Sequence, residues 1–521
     1  MSKRKHAIEA YFQSGVRLHS AGRLQEAESV YRQVLAAAPG HADSLHMLGV
    51  LASQCGQPQS ALACIDQAIA IKPTTAMFHV NRASTLLALR QPDVALEACR
   101  QALRFKYNLA EAHQMMGHVL SDLGRPEEAI ASYRQALRLK PDLRDGHNDL
   151  ALALREANHL DEAATALSVA VRQAPNDPQF IGNLAGILKD LGRLDEAEAM
   201  YRDILRRHPD DAAAHVNLGL SLLTAGHFAE GWREWEWRFR AEPATQRQFA
   251  KPRWQGEPLD GRTLLVHAEQ GIGDMLQFCR FLPIAARGGR LLVEVHRPLV
   301  GLLAQLPGVA GALGLGDALP SFDLQCPMMS LPYLSGMASE RDIPPEMPYL
   351  RPEPSRVDLW HTRATALSGL LVGLVWAGSP ERMRMDRRRS IALNRLDCLH
   401  DVPGVTFVSL QKGAAPAELA GSAMGTAMVD WTDELTDFGE TAALVQTLDL
   451  VIGVDTAVVH LAGAMGKPVW LLNRFDTCWR WRRDRDDSPW YPTLRQFRQP
   501  VPGDWDSVVE RVRAALVEAA A

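Results

Sequence analysis

The stretch Gly117-His118-Val119-Leu120-Ser121-Asp122-Leu123-Gly124-Arg125-Pro126-Glu127-Glu128-Ala129-Ile130-Ala131-Ser132-Tyr133, closed further on by Pro141, decides the first half of the fold. Its key positions recur every 34 residues. One row holds small residues: Gly15, Gly49, Ala83, Gly117, Ala151, Ala185 and Gly219. A second is Gly22, Gly56, Arg90, Gly124, Asn158, Gly192 and Gly226. A third is Ala27, Ala61, Ala95, Ala129, Ala163, Ala197 and Gly231. A fourth is Pro39, Pro73, Pro141, Pro175 and Pro209, with Tyr107 at the missing rung. Four rows in one register make a repeat, and each row has a physical office. Glycine or asparagine supplies a left-handed turn that ends one helix. Alanine lets the next helix pack closely. Proline stops that helix and begins the next unit. Four residues after each alanine a large side chain stands in most copies, as Tyr31, Ile65, Tyr133, Leu167, Tyr201 and Trp235, the expected knob between paired helices.

This 34-residue helix-turn-helix unit resembles the tetratricopeptide repeat over residues 7–240, about seven copies. The resemblance implies an all-α superhelix whose groove binds an extended peptide or a protein partner. A spacer or dimerisation arm is the plainer alternative. The last copy runs into Gly231-Trp232-Arg233-Glu234-Trp235-Glu236-Trp237-Arg238-Phe239, whose aromatics are expected to weld the array to the C-terminal half.

From about residue 262 the period changes. Thr263–His267 and Arg290–Val295 are short apolar runs of the kind that form buried parallel strands. Gln270-Gly271-Ile272-Gly273-Asp274 is a glycine turn ahead of an amphipathic helix, Met275–Leu282, and a second helix is expected over Pro298–Leu306. A proline-rich stretch from Pro344 to Pro354 reads as a linker. Further strands follow at 370–376, 405–410, 450–454 and 468–472, and a helix at 505–520 closes the chain. The fold class expected is therefore a helical array followed by α/β, with two Rossmann-like domains and a cleft between them. The domains read as 7–240, 241–355 and 356–521.

Composition excludes several classes. At 521 residues, 47% hydrophobic and 22% charged, the chain is neither disordered nor a disulfide miniprotein. Net charge is −5, against a general nucleic-acid coat. No apolar run is long enough to cross a membrane, and the basic start Met1–His6 lacks the apolar core of a secretion signal. The seven cysteines form no C-x-x-C pair and read as thiols in a reducing cytoplasm. No metal-ligand spacing, P-loop or G-x-S-x-G occurs.

The chemistry concentrates in Gly453-Val454-Asp455-Thr456-Ala457-Val458-Val459-His460-Leu461-Ala462-Gly463-Ala464-Met465-Gly466-Lys467-Pro468. A strand ends, Asp455 or Thr456 caps a helix, and the free N–H groups of its first turn favour a phosphate. His460 follows one turn on, on the same face. This segment resembles the heptosyltransferase family, whose pattern D-T-x-x-x-H-L-A-x-A-x-G-x-P is met at every fixed position. That resemblance implies a nucleotide-sugar glycosyltransferase of GT-B type, with Asp455, Thr456 and His460 at the diphosphate and sugar of the donor. It also implies that Asp274, beside Gly273, is the base that deprotonates the acceptor hydroxyl; an ordinary helix cap is the alternative, and His267 and Glu269 are runner-up bases. Two arginine clusters point to an anionic ligand: Arg382, Arg384, Arg387, Arg388 and Arg389, and Arg480, Arg482, Arg483 and Arg485. The family's usual lysine is replaced by Arg389 or Arg388. Trp479, Trp481, Trp490, Tyr491 and Phe497 are read chiefly as packing.

Repeats joined to such a catalytic half also resemble the arrangement of protein O-N-acetylglucosaminyltransferases. The expected activity is inverting, metal-independent transfer of a sugar from a nucleotide-diphosphate donor to a protein hydroxyl held by the repeats, with no cofactor. The alternative is a non-catalytic scaffold with a degenerate glycosyltransferase-like domain.

Overall fold

The computed structural model describes residues 2–143, 145–243, 247–378, 388–413 and 416–521, with residues 2–4 and 416 described by backbone alone. Arg382, Arg384 and Arg387 lie outside the described residues. The chain divides into two compact units, Met1–Asn183 and Leu184–Ala521.

The first unit is built from paired helices: α1 (Ser2–Ser20), α2 (Leu24–Ala37), α3 (Ala42–Gln54), α4 (Pro58–Ile71), α5 (Ala76–Ala88), α6 (Pro92–Phe105), α7 (Ala110–Asp122), α8 (Pro126–Leu139), α9 (Gly146–Glu156) and α10 (Leu160–Gln173). Helix α11 (Pro178–Asp190) spans the boundary. Every rung of the glycine row has positive φ, including Arg90 at 60° and Asn158 at 65°. The alanine rungs from Ala27 to Ala197 are fully buried. Small residues and knobs are 16 positions apart and touch: a methyl group added at Gly117 would lie 2.5 Å from the Tyr133 ring, and one at Gly49 2.6 Å from Ile65. Cys99 fills the knob position of the third copy and is completely buried. It escapes a search for large residues because cysteine is small, although it is as buried as the larger knobs.

One buried histidine makes this unit acid-sensitive. His46 on α3 stacks on Phe78, ring centroids 4.4 Å apart, and its Nε2 accepts from the Asn81 amide at 2.7 Å. Burial lowers its pKa to about 4, against a small opposing pull from Asp43. A group lowered in the folded state contributes its full stability above the unfolded value, about 6.5, and loses it as pH falls towards 4. The first unit is therefore expected to lose about 2–3 kcal/mol between pH 7 and pH 4.5. Helical circular dichroism during urea unfolding at the two pH values measures it. A His46→Gln variant with the same pH dependence would refute the assignment.

The second unit opens with the end of α11 and continues with α12 (Leu194–Arg207), α13 (Ala212–Ala225), α14 (Phe228–Trp235) and a short α15 (Arg238–Ala241). Two wholly parallel sheets come next. The first has the order β3-β2-β1-β4, with β1 Thr263–His267, β2 Arg290–Val295, β3 Val309–Gly314 and β4 Leu324–Pro327. The second has the order β6-β5-β7-β8-β9, with β5 Leu370–Val375, β6 Val405–Ser409, β7 Leu450–Val454, β8 Val469–Asn473 and β9 Leu494–Arg498. Central strands such as β7 are buried along their whole length, which is why they read as continuous apolar runs. Edge strand β9, Leu-Arg-Gln-Phe-Arg, carries no such run and was not foreseen from the sequence.

Two expected helices differ. The span Pro298–Leu306 is a 3-10 turn, Arg297–Leu299, and one helical turn, Val300–Leu303, because Pro307 and left-handed Gly308 close the segment. The helix expected at 275–282 begins earlier, as α16 (Ile272–Phe278), and breaks at Cys279. Pro283 has no N–H to return to the carbonyl of Cys279.

The aromatic weld is present. Trp232 of α14 meets Phe278 of α16 and Trp479 edge-on, at 5.9 and 5.2 Å, and Phe228 meets Trp490. Trp479, Trp481, Trp490, Tyr491 and Phe497 are all buried, as their packing role requires. Among the described residues no helix is long and apolar enough to cross a membrane.

Candidate active site

Each sheet delivers one helix start to the site. β1 ends at His267 and the chain turns into α16; β7 ends at Val454 and turns into the helix Ala457–Ala464. The two starts touch. A methyl group at Gly273 would stand 3.0 Å from the His460 ring and 3.6 Å from the Ala457 backbone, so only glycine fits there without a shift.

The predicted residues Asp274, Gly273, Arg389, Asp455, Thr456, His460 and Arg480 converge on this contact, from four separate parts of the chain. His460 Nε2 lies 3.5 Å from Asp455 Oδ1, its Nδ1 lies 2.8 Å from the Tyr491 hydroxyl, and its ring stacks on Trp481 at 5.2 Å. Burial opposes ionisation of Asp455, but the His460 hydrogen bond and the charges of His460, Arg389 and Arg480 prevail and hold its carboxyl well below the usual range. Thr456 is the residue before the helix, and its Oγ1 is buried without a hydrogen-bond partner among the described residues.

Arg480 joins the halves of the site. Its Nη2 donates to Asp274, its Nε donates to Gln277 Oε1 at 2.5 Å, and its guanidinium lies 4.5 Å over the Trp479 ring. Asp274 Oδ2 also accepts from the Gly271 N–H at 2.9 Å. Both its oxygens are thus engaged, one as a helix cap and one in an ion pair. Each oxygen keeps a further lone pair that a hydroxyl could reach.

The other arginines divide the work. Arg482 pairs with Glu340 at 2.7 Å, and Arg485 with Glu340 and Asp487. Arg483 donates to the main-chain carbonyls of Asp190 at 2.9 Å and Phe475 at 3.2 Å. Arg388 pairs with Asp476 at 2.6 Å and approaches Asp190 at 3.5 Å. Of the described arginines in the two clusters, Arg480 and Arg389 are the ones whose charge acts on Asp455, while Arg482 and Arg483 pack against the helix turns at Gly226 and Gly192.

The runner-up bases sit elsewhere, on cavity walls. His267 is buried at the end of β1, 3.1 Å from Gln325 Oε1, and burial lowers its pKa. Glu269 accepts two bonds from Arg238 at 2.8 and 3.2 Å; burial nonetheless raises its carboxyl. Both line a cavity of about 30 Å³ with Arg247 and Arg253, and Glu269 also lines one of about 110 Å³ with Trp235 and Arg238.

Sequence reasoning missed Arg474 and Gln277, and it read Tyr491 as packing without its bond to His460. Arg474 follows β8 and carries a charge that Asp455 feels. Its position at a strand mouth was a readable signal. Gln277 has none, and the role of Tyr491 at His460 has none, because each is defined by a partner remote in sequence.

Comparison with known proteins gives matching halves. Residues 18–84, 115–178 and 154–220 match tetratricopeptide repeat models. Residues 434–475 match the glycosyltransferase family 9 (heptosyltransferase) model, and that span holds Asp455, Thr456 and His460. The chain thus matches tetratricopeptide repeats ahead of a segment similar to glycosyltransferase family 9. It is 32% identical over 330 residues to Protein FlbA of Caulobacter vibrioides, covering 58% of this chain and 54% of that one. It thus spans about half the length of that relative. Among solved structures it resembles PilF of Pseudomonas aeruginosa at TM-score 0.37 and 18% identity, covering 41% of this chain and 96% of that one. A thermophilic tetratricopeptide protein of Thermus thermophilus scores 0.32 at 26% identity, covering 35% and 98%. Scores this low leave the repeat assignment to the family matches and the helix pairing.

Proposed function

We propose that this chain is an inverting glycosyltransferase that moves a sugar from a nucleoside-diphosphate donor to a hydroxyl on a protein held by its repeats. The two parallel-sheet regions, 241–355 and 356–521, act as Rossmann-like lobes of GT-B type, and 7–240 presents the acceptor. The observation that carries the reading is Thr456. A buried hydroxyl without a partner among the described residues stands at the start of the helix Ala457–Ala464, beside Asp455 and the positive charges of Arg389 and Arg480. A diphosphate supplies what this arrangement lacks: an acceptor for the Thr456 hydroxyl and for the free N–H groups of the helix start. The arginines offset the charge that builds on the leaving diphosphate, with no resident metal or cofactor assigned a role. Asp455, kept ionised, accepts from sugar hydroxyls. Arg480, drawn to the diphosphate, releases Asp274 to act as base.

The engagement of both Asp274 oxygens favours a second reading, a scaffold that binds but does not transfer. One experiment separates them. Thermal shifts with UDP, GDP, ADP and CDP should show one ligand stabilising the protein, by about 2.7 kcal/mol at a hundred times its Kd. Asp455→Ala should erase the shift. Binding without hydrolysis or transfer of any matching nucleotide sugar favours the scaffold; no shift with any nucleotide sinks the enzyme reading.

A further inference from the structure

The turn between the helices of the sixth repeat, Asp190-Leu191-Gly192, is held by two arginines whose chain neighbours serve the site. Asp190 ends α11 and its side chain is 3% exposed, rare for a carboxylate. Its Oδ2 faces Arg388 at 3.5 Å, and its main-chain carbonyl accepts from Arg483 at 2.9 Å. Left-handed Gly192 lies flat against that same guanidinium, where a methyl group would come within 2.6 Å of Arg483 Nε. Arg388 directly precedes Arg389, which acts on Asp455. Arg483 stands one turn of chain beyond Arg480, which holds Asp274. Asp476 extends the same network, 2.6 Å from Arg388 and 3.6 Å from Arg474. One repeat turn thus touches both segments that bring positive charge to the site.

We infer that Asp190 is a positioning residue for donor binding: its carboxylate sets Arg389 through Arg388, while its main-chain carbonyl holds Arg483. The sixth repeat is then part of the catalytic unit, in addition to any part it takes in holding an acceptor. A buried carboxylate among arginines fixes both the place and the net charge of the segments it touches. Lacking it, Arg388 is held by Asp476 alone, and Arg389 loses its tie to the repeat turn. The inference rests on the donor reading above for its functional consequence, but not for the coupling itself.

The test uses the full chain with Asp190→Asn, which keeps shape and removes charge, and Asp190→Ala as a second variant. Amide hydrogen exchange should rise about tenfold over residues 388–393 and, through the Arg388–Asp476 pair, at residues 475–478, and stay at the wild-type rate in β7. Whichever of UDP, GDP, ADP or CDP binds the wild type should bind Asp190→Asn about tenfold more weakly, with Asp190→Glu recovering part of the loss. In an Arg388→Ala background Asp190→Asn should add less than it does alone. Unchanged exchange in both segments overturns the coupling, whether or not a nucleotide binds. Faster exchange with an unchanged Kd overturns the positioning role and leaves an anchor. If no nucleotide binds the wild type, the donor reading fails, and the exchange result still decides the coupling.

Discussion

Arg480→Ala is expected to lose nucleoside-diphosphate binding by about 100-fold and to destabilise the second unit by about 3 kcal/mol. Both effects come from one guanidinium. It is 12% exposed, ion-paired to Asp274, bonded to Gln277 and felt by Asp455. Truncation leaves the Asp274 carboxylate and the Gln277 amide buried with less to meet them, the costly way to break a buried pair. It also removes the group expected to turn from Asp274 to a phosphate. Arg480→Lys should restore part of the stability and little of the binding, because an ammonium cannot bond Gln277 and Asp274 in the fork geometry of arginine. Intrinsic tryptophan fluorescence suits the stability measurement, since all 12 tryptophans lie beyond residue 231 and report on the second unit alone. Titration with the nucleotide that binds best gives the affinity. A variant with wild-type affinity would remove Arg480 from the donor site.

Asp274→Asn is expected to lower kcat about 100- to 10,000-fold while nucleotide affinity changes little. The substitution separates the two roles of this side chain. Asparagine keeps an oxygen to accept from Gly271 N–H, so the start of α16 remains capped. It cannot accept a proton from an attacking hydroxyl at neutral pH. Retained transfer would make Asp274 a cap only. Glu269→Gln and His267→Gln then become the informative variants, since both residues line cavities at the mouth of β1. Single-turnover transfer from the matching nucleotide sugar measures each.

Most of the fold was legible because its causes are local. A 34-residue unit repeats its own turn, its own close-packed alanine and its own stop, so each copy announces itself within a few residues. The buried strands announce themselves by composition; the helix start at Asp455-Thr456 was readable from its residue types, although neither side chain caps it. Edge strand β9 and the broken helix at 297–303 were obscured because their state depends on neighbours more than on period.

By itself, then, the sequence determined the repeat, the parallel α/β halves and the identity of the polar residues at 455–460, since all of these come from short-range periodicity and side-chain chemistry. Only the tertiary structure decided which of those residues meet. Arg480 reaches Asp274 across 206 positions, Arg388 approaches Asp190 across 198, and Tyr491 finds His460 across 31. No spacing rule links such pairs. They are chosen when two sheets and the last repeat helices bury their apolar faces together, and the charges carried along must find partners where the packing leaves them.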